Sequence, residues 1–260
     1  MRFNTELNRR EALAGMGTVS LGALLSACGS DNEGSTSTSV STESGETALV
    51  EPRSGNDLTS FFEDTSACTL TAEETEGPYY FDIDKIRTDI REDREGTPLR
   101  LVVRVREAEA CEPLRNAVVD VWHCDAGGIY SGFEEQSIQA GGSPEGSAGT
   151  SSGTFLRGAQ VTDRDGIAEI TTIYPGWYQG RTVHIHAKVH LDSTTALTTQ
   201  VYFDDAVSSE VYSQGDPYKP EDERQVFNET DGIFDESLVL TLSEEGDGYL
   251  GTISFDVARA

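Results

Sequence analysis

From Leu99 onward, apolar and polar positions alternate in short runs instead of recurring every three or four residues. Leu99 to Arg106 reads LRLVVRVR, Ala117 to Cys124 reads AVVDVWHC, and Ile167 to Ile173 reads IAEITTI. TVHIHAKVH, TTQVYFDD, SLVLTL (Ser237 to Leu242) and YLGTISFDV (Tyr249 to Val257) continue the pattern. Successive side chains on a strand point to opposite faces, so each run reads as a strand with one apolar face. The runs are β-branched and bounded by Gly, Pro and Asp, with no sustained helical period. They predict an all-β fold, a sandwich or a barrel, with long loops and little helix. Asp163-Arg164-Asp165-Gly166 is a strong turn signal between GAQVTD and IAEITTI. Glu134 to Thr154 breaks the spacing as a long Gly/Ser-rich loop.

The N-terminal residues lack this alternation. Arg9 and Arg10 precede a short apolar run that closes on Leu25-Ser26-Ala27-Cys28. The run is too short and too rich in Gly and Ala for a comfortable membrane span. It resembles a twin-arginine export signal ending in a lipobox, which would make Cys28 the lipidated anchor of an extracytoplasmic protein. Residues 29–58 are rich in Ser, Thr, Gly and Glu and cannot bury enough surface to offset their ordering entropy. The expected organisation is a signal at 1–28, a disordered tether at 29–58 and a β-sandwich domain at 59–260.

Charge narrows the partners. Forty-six acidic residues face 19 basic ones, a formal net charge of −27, and only Lys85, Lys188 and Lys219 are lysines. Such an acidic surface disfavours nucleic acid, and the balance resembles that of proteins from salt-loving organisms. In an exported chain a cysteine pair can bridge. Cys68 and Cys111, in loop-like stretches, are the first choice, and Cys124 reads as a buried apolar thiol.

The chemistry concentrates in Arg181 to His190, RTVHIHAKVH, which holds three of the four histidines. Alternation puts His184, His186, Lys188 and His190 on one face. One reading is a wet polar face; the other is a pair of metal ligands. DVWHCDAGGIYSG adds Tyr130, and TTIYPGWYQGRTVHIH adds Tyr178 and Arg181. Phenolate is a hard anionic donor with a parent pKa near 10, so two tyrosines beside two histidines suit a trivalent ion, Fe(III), better than Zn(II) or Mg(II).

These stretches, with EGPYY (Glu76 to Tyr80) and TTQVYF in the same order, resemble the intradiol ring-cleavage dioxygenases, the family of catechol and protocatechuate dioxygenases. The likeness runs from about Cys68 to Val257 and implies an antiparallel β-sandwich, with long loops and little helix, as the form of the all-β fold. It implies Fe(III) held by Tyr130, Tyr178, His184 and His186, with no separate organic cofactor. It further implies Arg181 beside the bound diolate, Gln200 near the ring, Tyr178 as a proton acceptor, and Pro78 and Tyr79 walling the substrate pocket. The implied reactants are a small aromatic diol and O2, the implied product a cis,cis-muconate. Tyr178 lies only six positions before His184, a shorter interval than in the best-known members, which leaves the ring substituents open. The oligomeric state is open too, a homodimer included.

Alternatives attach to single residues. Without the Gly127-Gly128 turn before it Tyr130 would read as a core tyrosine, Tyr174 competes with Tyr178, and Arg181 could serve only to pair with a carboxylate. His123 and His190 fall outside the ligand positions. Asn228-Glu229-Thr230 is a glycosylation sequon. At the level of the whole protein, a tethered β-sandwich binding module and an iron- or catecholate-binding lipoprotein compete with the oxygenase.

Overall fold

The computed structural model describes residues 58–62, 68–83, 85–142, 153–191 and 194–259, with the backbone of three short strands, β1 (Leu7–Asn8), β2 (Thr38–Ser41) and β3 (Thr47–Val50). Arg9, Arg10 and Cys28, on which the export and lipidation expectations rest, lie outside these residues. Of the expected loop from Glu134 to Thr154, residues 143–152 also lie outside them, and its start, Glu134–Gln139, is a short helix instead.

Alternation does its expected work in β5 (Pro98–Glu107), where Leu99, Leu101, Val103 and Val105 all turn into the core while Arg100 and Arg104 stay at its margin. Fully burying a Val or Leu side chain contributes roughly 1.5–3 kcal/mol, so one such strand is a substantial part of the fold's stability. The remaining elements are β4 (Lys85–Ile86), β6 (Val118–Trp122), α1 (Glu134–Gln139), β7 (Arg157–Val161), β8 (Ile167–Ile173), β9 (His184–Leu191), β10 (Thr194–Tyr202), α2 (Asp205–Ser213), β11 (Thr241–Glu245) and β12 (Gly248–Val257). Six strands form one sheet in the order β1-β4-β7-β6-β9-β10, and four form a second in the order β11-β12-β5-β8. Val119 and Val121 of β6 and Ile185, Ala187 and Val189 of β9 share one apolar cluster with β5, Ala168, Ile170, Ile253 and Phe255.

The sandwich is mixed, not antiparallel throughout. β12 runs parallel to β5 over nine residue pairs from Tyr249↔Leu99 to Val257↔Glu107, and β4 runs parallel to β7. A parallel pair needs a long crossover, which the many elements between β5 and β12 supply. Three local expectations also change. The Asp163–Gly166 turn forms, with Asp163 Oδ1 accepting from the Asp165 and Ile167 amides at 2.9 Å, but it carries the chain from one sheet to the other. SLVLTL is not one strand: Glu236–Leu238 is a 3-10 turn, Leu238 and Leu240 are buried, Val239 makes an isolated bridge to Tyr202, and the ladder with β12 starts at Thr241. Helix α2 was not anticipated; the Asp204 carboxylate caps it by accepting from the Ala206 and Val207 amides.

β9 is covered on both faces, so the wet-face reading of RTVHIHAKVH does not hold: His184, His186, Lys188 and His190 are all buried. Directly opposed residues on neighbouring strands share a face. One such row crosses four strands as Gln200, His186, Trp122 and Arg157, and the next pairs Tyr202 with His184. The face carrying these rows is overlaid by residues 69–81, which hydrogen-bond to β12 and β10 through Thr71, Glu74 and Thr75. That segment starts at the Cys68–Cys111 disulfide; Cys124 is free and buried.

Candidate active site

His184 and His186 open β9 and point across the covered face of the larger sheet. His184 Nδ1 lies 2.7 Å from the Thr182 carbonyl, so that nitrogen carries the proton and Nε2 keeps its lone pair. Around His184 Nε2 stand Tyr178 Oη at 3.1 Å, His186 Nε2 at 3.2 Å and Tyr130 Oη at 3.4 Å. Trp122, opposite His186 in the row, stacks on its ring at 4.9 Å with planes 5° apart. Tyr174 goes elsewhere: its hydroxyl is 2.8 Å from Ser208 Oγ and its ring packs on Phe203 in the core.

The two tyrosines arrive on loops that touch backbone to backbone. Asp125 Oδ1 shapes the first loop by accepting from the Gly127 and Ile129 amides at 3.0 Å. Gly128 then takes φ +82°, and a Cβ there would stand 2.5 Å from the Trp177 carbonyl oxygen, so only glycine lets the loops of Tyr130 and Tyr178 approach. Gly77 does the same for the overlying EGPYY segment, where a Cβ would reach 3.1 Å from His186 Cε1. Tyr79 packs on Tyr130 at 4.7 Å and on Phe133 at 5.3 Å between ring centroids, while Pro78 is exposed in a turn at the margin.

Burial sets the protonation of this cluster. It pushes the Tyr130 and Tyr178 phenols above their ordinary range; Tyr178 raises Tyr130 further, whereas Arg181 and the hydrogen bond from Tyr130 oppose the rise at Tyr178. It pushes His184 down to about 3, with Arg181 adding to the effect, and holds His186 well below 6.5. The imidazoles are therefore neutral. His186 Nδ1 is buried without a hydrogen-bond partner, and both phenols converge on the one lone pair of His184 Nε2. Two imidazole nitrogens facing each other at 3.2 Å, with two phenol oxygens beside them, make a donor set that fits a cation, and these four residues could hold one. Among the described residues no group of three or more His, Cys, Asp and Glu side chains could do so.

Arg181 borders the cluster. Its Nε donates to Asp231 Oδ2 at 2.8 Å and its Nη2 to Gln200 Oε1 at 2.7 Å, and Gln200 Nε2 donates to the Thr75 carbonyl at 2.9 Å. The carboxylate pairing and the place beside the site therefore coexist. Burial pulls the guanidinium down, but Tyr178 and Asp231 outweigh it and hold it above its usual value. Tyr202, at the end of the row of His184, hydrogen-bonds to Glu74, whose carboxyl burial raises. Asp231, Glu74, Tyr202 and Trp122 escaped the sequence reading because no local spacing ties them to the histidines. His123 is a structural residue, with Nδ1 2.8 Å from the Cys124 carbonyl and Nε2 2.7 Å from Thr172 Oγ1. The amide of Asn228 in the sequon is engaged by Thr182 and the Phe203 carbonyl.

Comparison with known proteins locates this arrangement. A family model described as Dioxygenase matches residues 75–218. Chlorocatechol 1,2-dioxygenase from Pseudomonas putida is 28% identical over 152 residues, 50% of this chain and 52% of that protein. Catechol 1,2-dioxygenase 1 from Acinetobacter lwoffii is 30% identical over 132 residues, 44% of this chain and 38% of that one. The chain thus spans about half the length or less of these curated relatives. The solved intradiol ring-cleavage dioxygenase from Tetranychus urticae is 32% identical with a TM-score of 0.64, over 74% of this chain and 95% of that one. The dioxygenase domain of a carbohydrate-binding fusion protein from Streptomyces sp. SirexAA-E is also 32% identical, with a TM-score of 0.53 over 74% of this chain and 100% of that domain. Matched by a family model over more than half its length, and by a solved member over nearly all of that member's, the chain belongs to the intradiol ring-cleavage dioxygenase family.

Proposed function

We propose that the protein is a non-haem Fe(III)-dependent dioxygenase that uses O2 to cleave a catechol-type aromatic between its two hydroxyl-bearing carbons, yielding a cis,cis-muconate-type product. The observation that carries this reading is the meeting of Tyr130 Oη, Tyr178 Oη and His186 Nε2 around His184 Nε2 within 3.1–3.4 Å. Tyr130, Tyr178, His184 and His186 would hold the ion. Two buried phenols ionise only against a strongly Lewis-acidic cation, and a trivalent one balances two phenolates better than a divalent one. The chemistry supplied by Fe(III) held there would be Lewis-acid withdrawal of electron density from the diolate, which would make its ring open to O2.

The chain's own residues account for the rest. Tyr130 is fully buried whereas Tyr178 is half-buried, so Tyr178 Oη is the phenol placed to meet an incoming diol and take one of its protons. Arg181, aimed by Asp231 and Gln200, supplies a fixed positive charge for the negative charge that develops on the ring, an effect of roughly 3 kcal/mol per preorganised donor. Tyr79 and Pro78 wall the approach. Both atoms of O2 end in the two carboxyl groups of the product, and the diol supplies the electrons, so no outside reductant enters.

Oxygen uptake against a panel of catechol, protocatechuate, hydroxyquinol and lignin-derived diols tests the activity and names the substrate. Iron-loaded protein is expected to be wine-red from phenolate-to-Fe(III) charge transfer. Colourless protein carrying zinc, or diol binding with no O2 consumed, would overturn the reading in favour of a binding protein. Export through the twin-arginine-type leader and anchoring through a lipidated Cys28 complete the proposal, on the strength of the Leu-Ser-Ala-Cys motif. Cys28→Ser protein is then expected in the soluble fraction, and continued membrane retention would count against the anchor.

A further inference from the structure

One buried cation has no task in the reaction described above. Arg157 opens β7 at the end of the row that contains His186 and Trp122, and it is 2% exposed. Its Nε donates to Ser131 Oγ at 2.8 Å and its Nη2 to the Ser131 carbonyl at 2.8 Å, while Ser131 Oγ donates to the Phe155 carbonyl at 2.7 Å. The guanidinium carbon lies 4.3 Å from the centroid of the Phe81 ring and 5.7 Å from that of Phe133. Its own carbonyl is gripped by Arg87 Nε and Nη2 at 3.0 and 2.7 Å. Nη1 is buried without an acceptor among the described residues.

Packing does not explain this arrangement. A buried guanidinium with one nitrogen unmatched is costly, and an apolar side chain of similar volume would fill the space at lower cost. What an apolar residue could not do is join two segments. Ser131 directly follows Tyr130, and Phe81 directly follows the EGPYY segment that holds Gly77 against His186 and Tyr79 against Tyr130. One planar fork therefore ties the loop bearing the deeply buried phenol to the segment overlying the histidines.

Resting on the ligation read above, we propose that Arg157 is a positioning residue for the metal centre: its paired hydrogen bonds to Ser131 and its stacking on Phe81 fix where Tyr130 Oη meets the ion. It acts through Tyr130 and touches neither substrate nor metal. Residues that orient a ligand from behind typically contribute 10–100-fold to metal affinity. Lysine keeps the charge but not the two parallel bonds or the planar stack, so it does not substitute for arginine in this role.

The test uses the full chain loaded with ferric iron, as the parent and as Arg157→Lys, Arg157→Met and Ser131→Ala, with folding checked by circular dichroism. The readouts are ferric affinity by chelator competition and the position and intensity of the visible charge-transfer band. Both Arg157 variants are expected to bind iron about 10-fold or more weakly with a shifted, weaker band, and Ser131→Ala, which loses the Nε bond and the Oγ bond to the Phe155 carbonyl but keeps the Nη2 bond, to fall between them and the parent. Parent-like affinity and band in Arg157→Lys would overturn the proposal, as would variants that lose only thermal stability. Where the Arg157 variants do not fold, Ser131→Ala decides alone: an unchanged band sinks the inference. A parent protein with no visible band removes the ligation reading itself, a separate outcome from a coloured parent with indifferent variants.

Discussion

Asp231 holds Arg181 from two directions at once: its Oδ2 accepts from Arg181 Nε at 2.8 Å and from the Thr182 amide at 2.8 Å, two residues before His184. The Asp231 side chain is almost wholly enclosed, and its Oδ1 accepts the Ile233 amide at 3.0 Å. Although burial acts to raise it, these amides and Arg181 hold the carboxyl below its usual pKa. Removing one partner of an enclosed pair strands the other. Asp231→Ala is expected to destabilise the protein by about 3 kcal/mol in urea denaturation. Asp231→Asn, which keeps the shape, is expected to lower kcat with a smaller loss of stability. Equal turnover in Asp231→Asn and the parent would show that Arg181 needs no carboxylate to aim it.

Tyr178 and Tyr174 separate the site from the core. Tyr178→Phe is expected to shift the charge-transfer band of the iron-loaded protein and to reduce oxygen uptake about 100-fold or more, the usual share of a positioned proton acceptor. Tyr174→Phe breaks only the hydroxyl contact with Ser208 and is expected to cost about 1 kcal/mol of stability with colour unchanged. Visible spectra of the two variants decide it, and a colour change in Tyr174→Phe instead would reverse the assignment.

The parts of this site that are legible in sequence are those where local geometry is the constraint. His184 and His186 share a face because residues two apart on a strand do so. The glycine before Tyr130 is there because the backbone of Trp177 leaves no room for a Cβ at Gly128. Asp231 and Arg157 are different: they reach the centre only through tertiary contact, 50 residues from Arg181 and 26 from Ser131. No periodicity marks them among 46 acidic and 19 basic side chains. The fold shows the same division. Strand β8 was read from its first residue to its last, whereas the parallel direction of β12 beside β5 depends on how the chain between them is routed. Helix α2 was missed although Asp204 carries a cap signal, because the strand-like TTQVYF runs straight into it.

The Cys68–Cys111 disulfide closes a separation of 43 residues and anchors the start of the segment that overlies His186. By the chain-entropy relation a loop of that size contributes about 4 kcal/mol, and loss of a native bridge typically costs 2–5 kcal/mol. Cys68→Ser/Cys111→Ser protein is expected to unfold at lower urea concentration by roughly that amount. Residues 69–71 lose their tether but keep the hydrogen bonds of Thr69 and Thr71 to Asp256, so the charge-transfer band is expected to stay in place. A bleached band in the doubly substituted protein would mean that the bridge orders the metal centre as well as the fold.

His123 makes acid sensitivity a property of the fold and not of the proposed iron ligands alone. Its ring is fully buried, and the contact with the Cys124 carbonyl requires the proton on Nδ1, leaving Nε2 to accept from Thr172 Oγ1. Burial lowers its pKa from 6.5 to about 4, opposed by the hydrogen bond to Cys124 and assisted by Arg157. Between those two values the unfolded chain binds a proton that the folded one refuses. The stability linked to His123 is therefore fully present above pH 6.5 and is lost as pH falls towards 4, a change of about 3 kcal/mol. The measurement is urea denaturation of metal-free parent and His123→Gln protein at pH 7, 5.5 and 4.5. Glutamine does not titrate, so the advantage of the parent over the variant is expected to shrink steadily across that series. A difference that stays constant with pH would mean that the buried imidazole takes up its proton without unfolding the strands around it.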